Sequence, residues 1–370
     1  MTFENVKKRF GFGLMRLPML SKEEVDIEQV KKMVDYFIQN GFNYFDTAHG
    51  YIGGLSELAF KEAVSKRYAR CDYILTNKLS GSFFKTNEDI RPLIKKQLEA
   101  CGVEYFDYYL MHAQDKNSFE HFKKCQAFEE ALKLKEEGLI KHIGFSFHDT
   151  VDVLEEILDT YPFVEVVQIQ MNYLDMESSI IQSKKLYDLL TKRNIPIIVM
   201  EPVKGGTLAR ISDEALKEFQ KLGDSTPASY ALRYVLNYPN VKMVLSGMSN
   251  FEQMVDNVNT TKCFIPLTNK ELKTIEKVKE IIIEEKLIPC TACEYCVAGC
   301  PKKIMIPELF KIMNRGLLNE WYHLWSDFNE LTKSTGKPSE CIKCGKCENI
   351  CPQHLPIREL LEKMKESFEK

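Results

Sequence analysis

Residues 290–301 read CTACEYCVAGCP and residues 341–352 read CIKCGKCENICP, and these two stretches decide the fold of the last quarter of the chain. In each stretch two residues separate the first three cysteines, and three more residues precede a Cys-Pro pair. This is the spacing of bacterial ferredoxins that hold two 4Fe–4S clusters, in which the fourth cysteine of each run ligates the other cluster. The pattern therefore predicts two 4Fe–4S clusters.

The same rule divides the eight cysteines into two sets of cluster ligands. The first set is Cys290, Cys293, Cys296 and Cys351. The second set is Cys341, Cys344, Cys347 and Cys300. Structural zinc is the alternative, because C-x₂-C pairs also bind zinc. Two complete copies of three closely spaced cysteines followed by Cys-Pro favour clusters over zinc.

The residues around the two cysteine runs favour helices over strands. They include PELFKIMNRGLLNEWYHLWSDFNEL at 307–331 and LPIRELLEKMKESF at 355–368. We therefore expect the mainly α-helical kind of two-cluster ferredoxin domain. Another amphipathic helix is predicted over 269–286, and Pro289 breaks its pattern. This places a domain boundary near residue 287, with domains over 1–286 and 287–370.

Up to about residue 260, short apolar runs alternate with longer amphipathic stretches. Several runs are apolar throughout, as in a parallel sheet covered on both faces. The predicted strands are 11–17, 44–46, 73–76, 108–111, 142–145, 166–170, 197–200 and 242–245. The predicted helices between them include 28–39, 55–65, 119–137 and 180–193. Gly41 and Gly138 follow two of these helices and are expected to cap their C-terminal ends.

Eight strand–helix repeats predict an α/β fold of the (β/α)₈ TIM barrel type. A doubly wound sheet is the alternative, because local periodicity does not show whether a sheet closes.

The composition of the chain is that of a globular protein and argues against a nucleic-acid or membrane partner. Hydrophobic residues make up 44% of the chain and the net charge is -3, which is typical of a globular protein and not of a nucleic-acid binder. No apolar run resembles a secretory signal or a membrane span. Four cysteines outside the two runs, Cys71, Cys101, Cys125 and Cys263, are expected mostly as small buried side chains. We therefore expect a cytoplasmic protein without a membrane or nucleic-acid partner.

Three segments of the predicted barrel carry a recognisable group of polar residues. Residues 43–57 read NYFDTAHGYIGGLSE, ILTNK ends at Lys78, and FDYYLMHA contains His112. Residues 8–260 resemble the aldo-keto reductase family, and the whole chain resembles its members with a C-terminal ferredoxin domain. The resemblance implies a catalytic tetrad at the C-terminal ends of early strands: Asp46, Tyr51, Lys78 and His112.

The chemistry explains these residue types. Hydride addition to a carbonyl leaves an alkoxide that needs a proton, and tyrosine with its ordinary pKa of about 10 is a weak acid near neutral pH. A nearby ammonium such as that of Lys78 lowers the pKa of the tyrosine, and Asp46 would hold the lysine. His112 would orient the carbonyl or share the proton.

The resemblance also implies a nicotinamide nucleotide, NAD(P)H. Ser146 and Gln168 would hold its carboxamide, and Arg16 would contact the pyrophosphate. Further expected contacts follow the seventh and eighth predicted strands: Lys204, Gly205, Ser246, Gly247, Gln253 and Asn257.

The chain departs from the family pattern at several of these positions. Phe147 replaces the asparagine after Ser146, and Met200 replaces the aromatic ring that stacks on the nicotinamide. Gly247, Met248 and Gln253 stand where the NADP enzymes clamp the 2′-phosphate with a basic residue, a hydroxyl and an arginine. We therefore expect no strong preference for NADPH, and flavin is an alternative cofactor.

The leading hypothesis is an oxidoreductase that reduces a small carbonyl or oxidises an alcohol, linked to electron transfer through two clusters. The alternative is a cofactor-binding redox sensor or assembly protein with structural clusters, and a pure electron carrier leaves the barrel unexplained. Nicotinamides pass two electrons as hydride, whereas each cluster passes one. A flavin in the barrel, an external electron-transfer partner, or clusters uncoupled from the barrel would each resolve this mismatch.

Overall fold

The computed structural model describes residues 2–21, 23–317 and 324–369. It divides the chain into two compact units, each formed by two segments. The first unit comprises Met1–Pro202 and Ala228–Leu267, and the second comprises Val203–Pro227 and Thr268–Lys370.

The first unit contains a closed barrel of eight parallel strands. The strands are β1 (Phe10–Gly13), β2 (Tyr44–Asp46), β3 (Ile74–Leu79), β4 (Phe106–Gln114), β5 (Ile140–Phe147), β6 (Val166–Gln170), β7 (Ile197–Met200) and β8 (Val241–Gly247). Each strand pairs with its neighbours in sequence, and β1 pairs with both β2 and β8, which closes the sheet. The predicted TIM barrel is therefore confirmed, and the doubly wound sheet is wrong.

Helices follow most of the barrel strands. In chain order they are α1 (Ile27–Gln39), α2 (Leu55–Phe60), α3 (Ile90–Cys101), α4 (Lys116–Lys124), α5 (Ala127–Glu136), α6 (Val151–Thr160), α7 (Ser183–Lys192), α8 (Asp213–Gln220), α9 (Pro227–Leu236) and α10 (Phe251–Lys262). A short antiparallel pair of strands, Met19–Ser21 and Glu24–Val25, precedes α1. Gly41 and Gly138 both adopt positive φ, +83° and +79°, just after α1 and α5, as expected of C-terminal caps.

Local differences from the predicted elements have backbone causes. The first strand ends at Gly13 instead of continuing to residue 17, because Leu14–Arg16 form a 3₁₀ turn. The single helix predicted over 119–137 is two helices, since Gln126 adopts a φ of 51° between α4 and α5. The helix predicted over 55–65 continues past α2 as a π-helical turn at Lys61–Ser65.

The four scattered cysteines divide evenly. Cys101 and Cys125 are buried, whereas Cys71 and Cys263 are exposed, so half of the four are buried and not most of them as expected. Cys71 lies in a short 3₁₀ turn and Cys263 directly follows the last turn of α10, where side chains remain open to solvent.

The second unit is helical. After α8 come α11 (Asn269–Glu284), α12 (Tyr295–Ala298), α13 (Ile306–Leu317), α14 (Leu324–Ser334), α15 (Lys346–Asn349) and α16 (Ile357–Phe368). The predicted helical character of the C-terminal region is confirmed, although residues 318–323 of the stretch 307–331 lie outside the described residues. Phe310, Phe328, Leu361 and Met364 form part of an apolar core against which most of the cluster cysteines pack. No helix in the described ranges is both long and apolar enough to cross a membrane.

Candidate functional site

A buried lysine links two carboxyl-terminal strand ends of the barrel. Asp46 is the last residue of β2, and Lys78 lies near the end of β3 with only 1% of its surface exposed. The Lys78 Nζ atom is 2.5 Å from Asp46 Oδ1, 3.0 Å from the Thr47 carbonyl oxygen and 3.1 Å from the Tyr51 hydroxyl oxygen. The structure thus brings three of the four predicted tetrad residues into direct contact.

Burial acts on both charges of this ion pair. It raises the pKa of Asp46 and lowers the pKa of Lys78, while the attraction across their contact opposes both changes. The second carboxylate oxygen, Asp46 Oδ2, is buried and has no hydrogen-bond partner among the residues described. Because the two charges depend on each other, removing either one would leave the other buried and uncompensated.

The backbone of a tight turn places the Tyr51 hydroxyl. Tyr51–Gly54 form a 3₁₀ turn in which Ile52, Gly53 and Gly54 all adopt positive φ, from 50° to 93°. Two adjacent glycines make such a left-handed run accessible, since a Cβ atom disfavours it. These positive φ angles let the chain reverse direction within four residues of Tyr51, and α2 begins directly after the turn.

His112, the fourth member of the tetrad, lies beside Tyr51. The two rings meet edge to face, with their centroids 5.9 Å apart. Burial, the Lys78 charge and His148 together hold the pKa of His112 well below its usual value, so its imidazole is neutral near pH 7. Its Nδ1 atom is 2.6 Å from Ser80 Oγ. If Ser80 donates in this contact, the Nε2 atom carries the remaining hydrogen and can donate it to a substrate oxygen.

Sequence reasoning missed Ser80. The signal was present, because Ser80 lies two residues after Lys78 and side chains two apart share one face of an extended segment.

A second buried hydrogen-bond network contacts the backbone of Lys78. Asn77 Oδ1 accepts a hydrogen bond from the Lys78 amide at 2.7 Å, and Asn77 Nδ2 donates to Glu57 Oε1 at 2.8 Å. The other carboxylate oxygen of Glu57 lies 2.7 Å from His49 Nδ1. Glu57 is the last residue of the stretch 43–57 that carries Asp46 and Tyr51, but its contacts with Asn77 and His49 were not expected from the sequence.

Ser146 and Gln168 lie next to each other on adjacent strands, as register partners of β5 and β6. Ser146 Oγ accepts a hydrogen bond from the Ala113 amide at 2.8 Å. Gln168 is 3% exposed, and the structure gives its Oε1 atom no hydrogen-bond partner within the described residues. A buried acceptor of this kind fits the amide donor of a carboxamide. Phe147, which replaces the family's asparagine, is buried beside them.

The loop after β8 meets Arg16. A Cβ atom on Gly247 would lie 3.1 Å from three carbons of the Arg16 side chain, so the arginine lies along this glycine. Asn257 Nδ2 donates to Ser246 Oγ at 3.2 Å. Gln253 Oε1 accepts from the Ser249 amide at 2.8 Å, which joins its side chain to the residue that precedes the N-cap of α10. Met248 is fully buried. The structure thus groups Arg16, Ser246, Gly247 and Asn257, while Gln253 closes a local turn.

Lys204 and Gly205 follow β7 in the chain but belong to the second unit. Lys204 Nζ lies 3.5 Å from Gln353 Oε1, and Gly205 packs against Thr291. Their expected role in nucleotide binding stays a prediction.

The eight cysteines of the second unit fall into two groups. Beyond the effect of burial, Cys293, Cys290 and Cys351 each raise the pKa of Cys296 electrostatically, which places these four near one another. A separate cavity is lined by the other four cysteines: Cys300, Cys341, Cys344 and Cys347. Each group draws its fourth cysteine from the opposite run, as the ferredoxin spacing predicts.

Within the described ranges, no three His, Cys, Asp or Glu side chains are arranged to hold a single metal ion. In a cubane, by contrast, each thiolate binds a different iron atom. The donor set, four thiolates in each group, fits 4Fe–4S clusters.

Comparison with known proteins decides the family. A sequence model of the aldo/keto reductase family matches residues 9–280, and a model of the 4Fe-4S dicluster domain matches residues 289–355. This chain belongs to the aldo/keto reductase family. Its barrel is that of an oxidoreductase family, and a ferredoxin-type 4Fe–4S region follows the barrel in the chain. The resemblance seen in the sequence is therefore confirmed.

Individual relatives in this family are distant. An uncharacterized oxidoreductase of Bacillus subtilis is 26% identical over 299 residues, which cover 72% of this chain and 90% of that protein. The 7-acetyl-epi-neemfruitin B aldo-keto reductase of Melia azedarach is 28% identical over 298 residues, with 73% and 85% covered.

Solved structures agree on the barrel. The holo form of an aldo-keto reductase from Bacillus halodurans has a TM-score of 0.60 and 26% identity, covering 73% of this chain and 91% of its own. An aldo-keto reductase from Klebsiella pneumoniae in complex with NADPH has a TM-score of 0.59, with 73% and 90% covered. At 19% identity the latter likeness shows the fold alone.

Proposed function

We propose that the barrel reduces a small carbonyl compound to an alcohol, or oxidises the alcohol, with Tyr51 as the acid. The observation that supports this most is the buried Lys78 ammonium between the Asp46 carboxylate and the Tyr51 hydroxyl. A positive charge 3.1 Å from the phenol oxygen stabilises the tyrosinate that remains after Tyr51 gives up its proton. General acid catalysis of this kind contributes about 10²–10⁴-fold to a rate.

The other tetrad members act around this proton transfer. Asp46 fixes the Lys78 ammonium, and the Thr47 carbonyl accepts a second hydrogen bond from it. His112 is neutral, so it does not replace Tyr51 as the proton donor. It can instead donate a hydrogen bond from Nε2 to the substrate oxygen. Ser80 is a positioning residue in this scheme, because a hydrogen bond donated by its hydroxyl to Nδ1 would leave the imidazole hydrogen of His112 on Nε2.

The cofactor proposal rests on the polar pair at β5 and β6. Ser146 and Gln168 would hold a nicotinamide carboxamide, with the buried Gln168 Oε1 accepting from its amide group. A nicotinamide held there would supply the hydride for the carbonyl carbon, and the Tyr51 hydroxyl would give the proton to the carbonyl oxygen. Arg16, which lies along Gly247, is the proposed pyrophosphate contact.

The second unit would hold two 4Fe–4S clusters, which accept and release single electrons. Cys290, Cys293, Cys296 and Cys351 would ligate the first cluster, and Cys300, Cys341, Cys344 and Cys347 the second. We propose that these clusters link the reductase to electron transfer, with functional domains over 1–286 and 287–370 in the reducing cytoplasm.

Isotope transfer tests this function. Anaerobically purified protein is incubated with a panel of aldehydes and ketones and with NADH or NADPH carrying deuterium at C4 of the nicotinamide. We expect deuterium at the carbinol carbon of at least one product. If both cofactors bind tightly but no carbonyl is ever labelled, the reductase proposal fails, and that result would favour the sensor.

A further inference from the structure

The loop that follows β7 carries a buried lysine. Val203 directly follows Pro202, and Lys204–Gly206 form a short 3₁₀ turn within the second unit. Lys204 is 2% exposed, and its backbone has a φ of 47°. A lysine is almost never fully buried unless its charge serves a partner.

Steric contact fixes this loop against the first cysteine run. Gly205 has a φ of +63°, and a Cβ atom there would lie 2.5 Å from the Thr291 carbonyl oxygen and 2.6 Å from Thr291 Cα. Both neighbours are backbone atoms that cannot move aside, so only glycine permits this approach. Thr291 lies between Cys290 and Cys293.

The Lys204 side chain reaches the second cysteine run. Its Nζ atom lies 3.5 Å from the Oε1 atom of Gln353, a buried residue two positions after Cys351. The loop therefore contacts two segments that are distant in sequence. Both segments carry ligands of one cluster, because Cys290, Cys293 and Cys351 all act electrostatically on Cys296.

We propose that Lys204 is a charge-compensating residue for the cluster ligated by Cys290, Cys293, Cys296 and Cys351, and that it raises the reduction potential of this cluster above the value it would otherwise have. This inference rests on the proposed cluster ligation and is independent of the carbonyl chemistry. One-electron reduction adds a negative charge to a cluster, and a nearby buried cation stabilises the reduced state more than the oxidised state.

The second cluster site differs in this respect. The cations that line its cavity, Lys302, Lys346 and Arg358, are exposed to solvent. Water and salt screen such charges, so each should influence a potential less than buried Lys204 does. The two clusters would therefore have different electrostatic surroundings, because among these cations only Lys204, assigned to the first cluster, is buried.

Redox titration of the full-length protein, followed by electron paramagnetic resonance, tests the inference without nicotinamide or carbonyl substrate. The variants are Lys204→Met, Lys204→Gln and Lys204→Arg, each reconstituted anaerobically and analysed for iron and sulfide. Lys273→Met is the matched control, because it removes the charge of an exposed lysine in the same unit.

We expect both neutral variants to lower the midpoint potential of one of the two cluster transitions, while the arginine variant and the Lys273 control match the wild type. Loss of half of the iron in both neutral variants, with full occupancy in Lys204→Arg, also supports a required positive charge. Unchanged potentials in both neutral variants, or an equal shift in Lys273→Met, would overturn the inference. Wild-type protein without iron and sulfide would overturn it as well, and would leave the carbonyl proposal standing.

Discussion

The Nζ atom of Lys78 lies 3.1 Å from the hydroxyl oxygen of Tyr51, although the two residues are 27 positions apart in the chain. The lysine is buried at the end of a barrel strand, and the tyrosine is held by a left-handed turn after the neighbouring strand. The Lys78 side chain is not stable in this position alone, since a buried ammonium needs a compensating charge. Asp46 provides that charge, and so the stability of the barrel and, in the proposed mechanism, the acidity of Tyr51 depend on the same ion pair.

Variants of the Asp46–Lys78 ion pair can distinguish its effect on activity from its effect on stability. Lys78→Met should abolish carbonyl reduction and also destabilise the protein by roughly 3–5 kcal/mol, because Asp46 is left buried without a counter-charge. The double variant Asp46→Asn/Lys78→Met removes both charges. We expect it to recover much of the lost stability in denaturant unfolding without recovering turnover. A double variant as unstable as Lys78→Met would show that the pair is not coupled as described.

Much of the barrel could be predicted from local sequence. Three strands, β2, β6 and β7, match their predicted bounds, because they are short runs rich in β-branched or aromatic residues. The break at Gln126 could not be predicted, since neither glycine nor proline marks it. Closure of the sheet also depends on contacts between β1 and β8, which are distant in sequence.

The candidate site shows the same division. The tetrad residues were identified through a family resemblance, and their mutual distances then followed from the barrel. Ser80 and Asn77 were missed because serine and asparagine occur at many strand ends, and only the packing shows what they contact. The placement of Lys204 in the second unit depends on long-range packing against residues 291 and 353.

The division of cysteines between clusters predicts a pattern of paired losses. Cys300→Ala and Cys344→Ala should perturb the same cluster signal in electron paramagnetic resonance, since both residues line one cavity. Cys351→Ala should perturb the other signal, together with Cys296→Ala. Each variant is expected to retain about half of the wild-type iron. If Cys300→Ala instead resembles Cys296→Ala, each run holds its own cluster and the exchange of fourth ligands is wrong.

The sequence of the loop after β8 predicts similar affinities for NADPH and NADH. Residues 246–253 read SGMSNFEQ and contain no lysine or arginine, and Met248 is fully buried. A 2′-phosphate is best held by arginine or lysine contacts, so we expect NADPH and NADH to bind within about tenfold of each other. Titration of the protein with NADH, NADPH and FMN measures this.

Gln253→Arg is the matched gain-of-contact variant, and it should strengthen NADPH binding with little effect on NADH. Wild-type NADPH binding a hundredfold tighter than NADH, about 2.7 kcal/mol, would mean that another basic residue clamps the phosphate. FMN binding in place of both nucleotides would support the flavin alternative.

The environment of Glu165, outside the candidate site, predicts that part of the protein's stability depends on pH. Burial raises its pKa, but hydrogen bonds from His142, Lys135 and the Ile143 amide outweigh this and bring the pKa to about 2. A carboxylate with a depressed pKa stabilises the folded state above its ordinary pKa of about 4.5, and this stability is lost as the pH falls toward 2. Glu165→Gln should therefore lose on the order of 1–3 kcal/mol near pH 7.

The difference between Glu165→Gln and the wild type should shrink as the pH falls below about 4.5. Urea unfolding at several pH values measures it. A difference that stays constant from pH 7 to pH 3 would show that the carboxylate charge is not responsible.

The single-turnover rate of Tyr51→Phe tests the central claim most directly. The substitution removes only the hydroxyl that lies 3.1 Å from Lys78 Nζ, and the ring stays beside His112. With a carbonyl substrate verified by deuterium transfer, we predict a rate at least a hundredfold below the wild type, with nucleotide affinity changed by no more than about twofold. A Tyr51→Phe variant that reduces this substrate at the wild-type rate would contradict the assignment of Tyr51 as the acid.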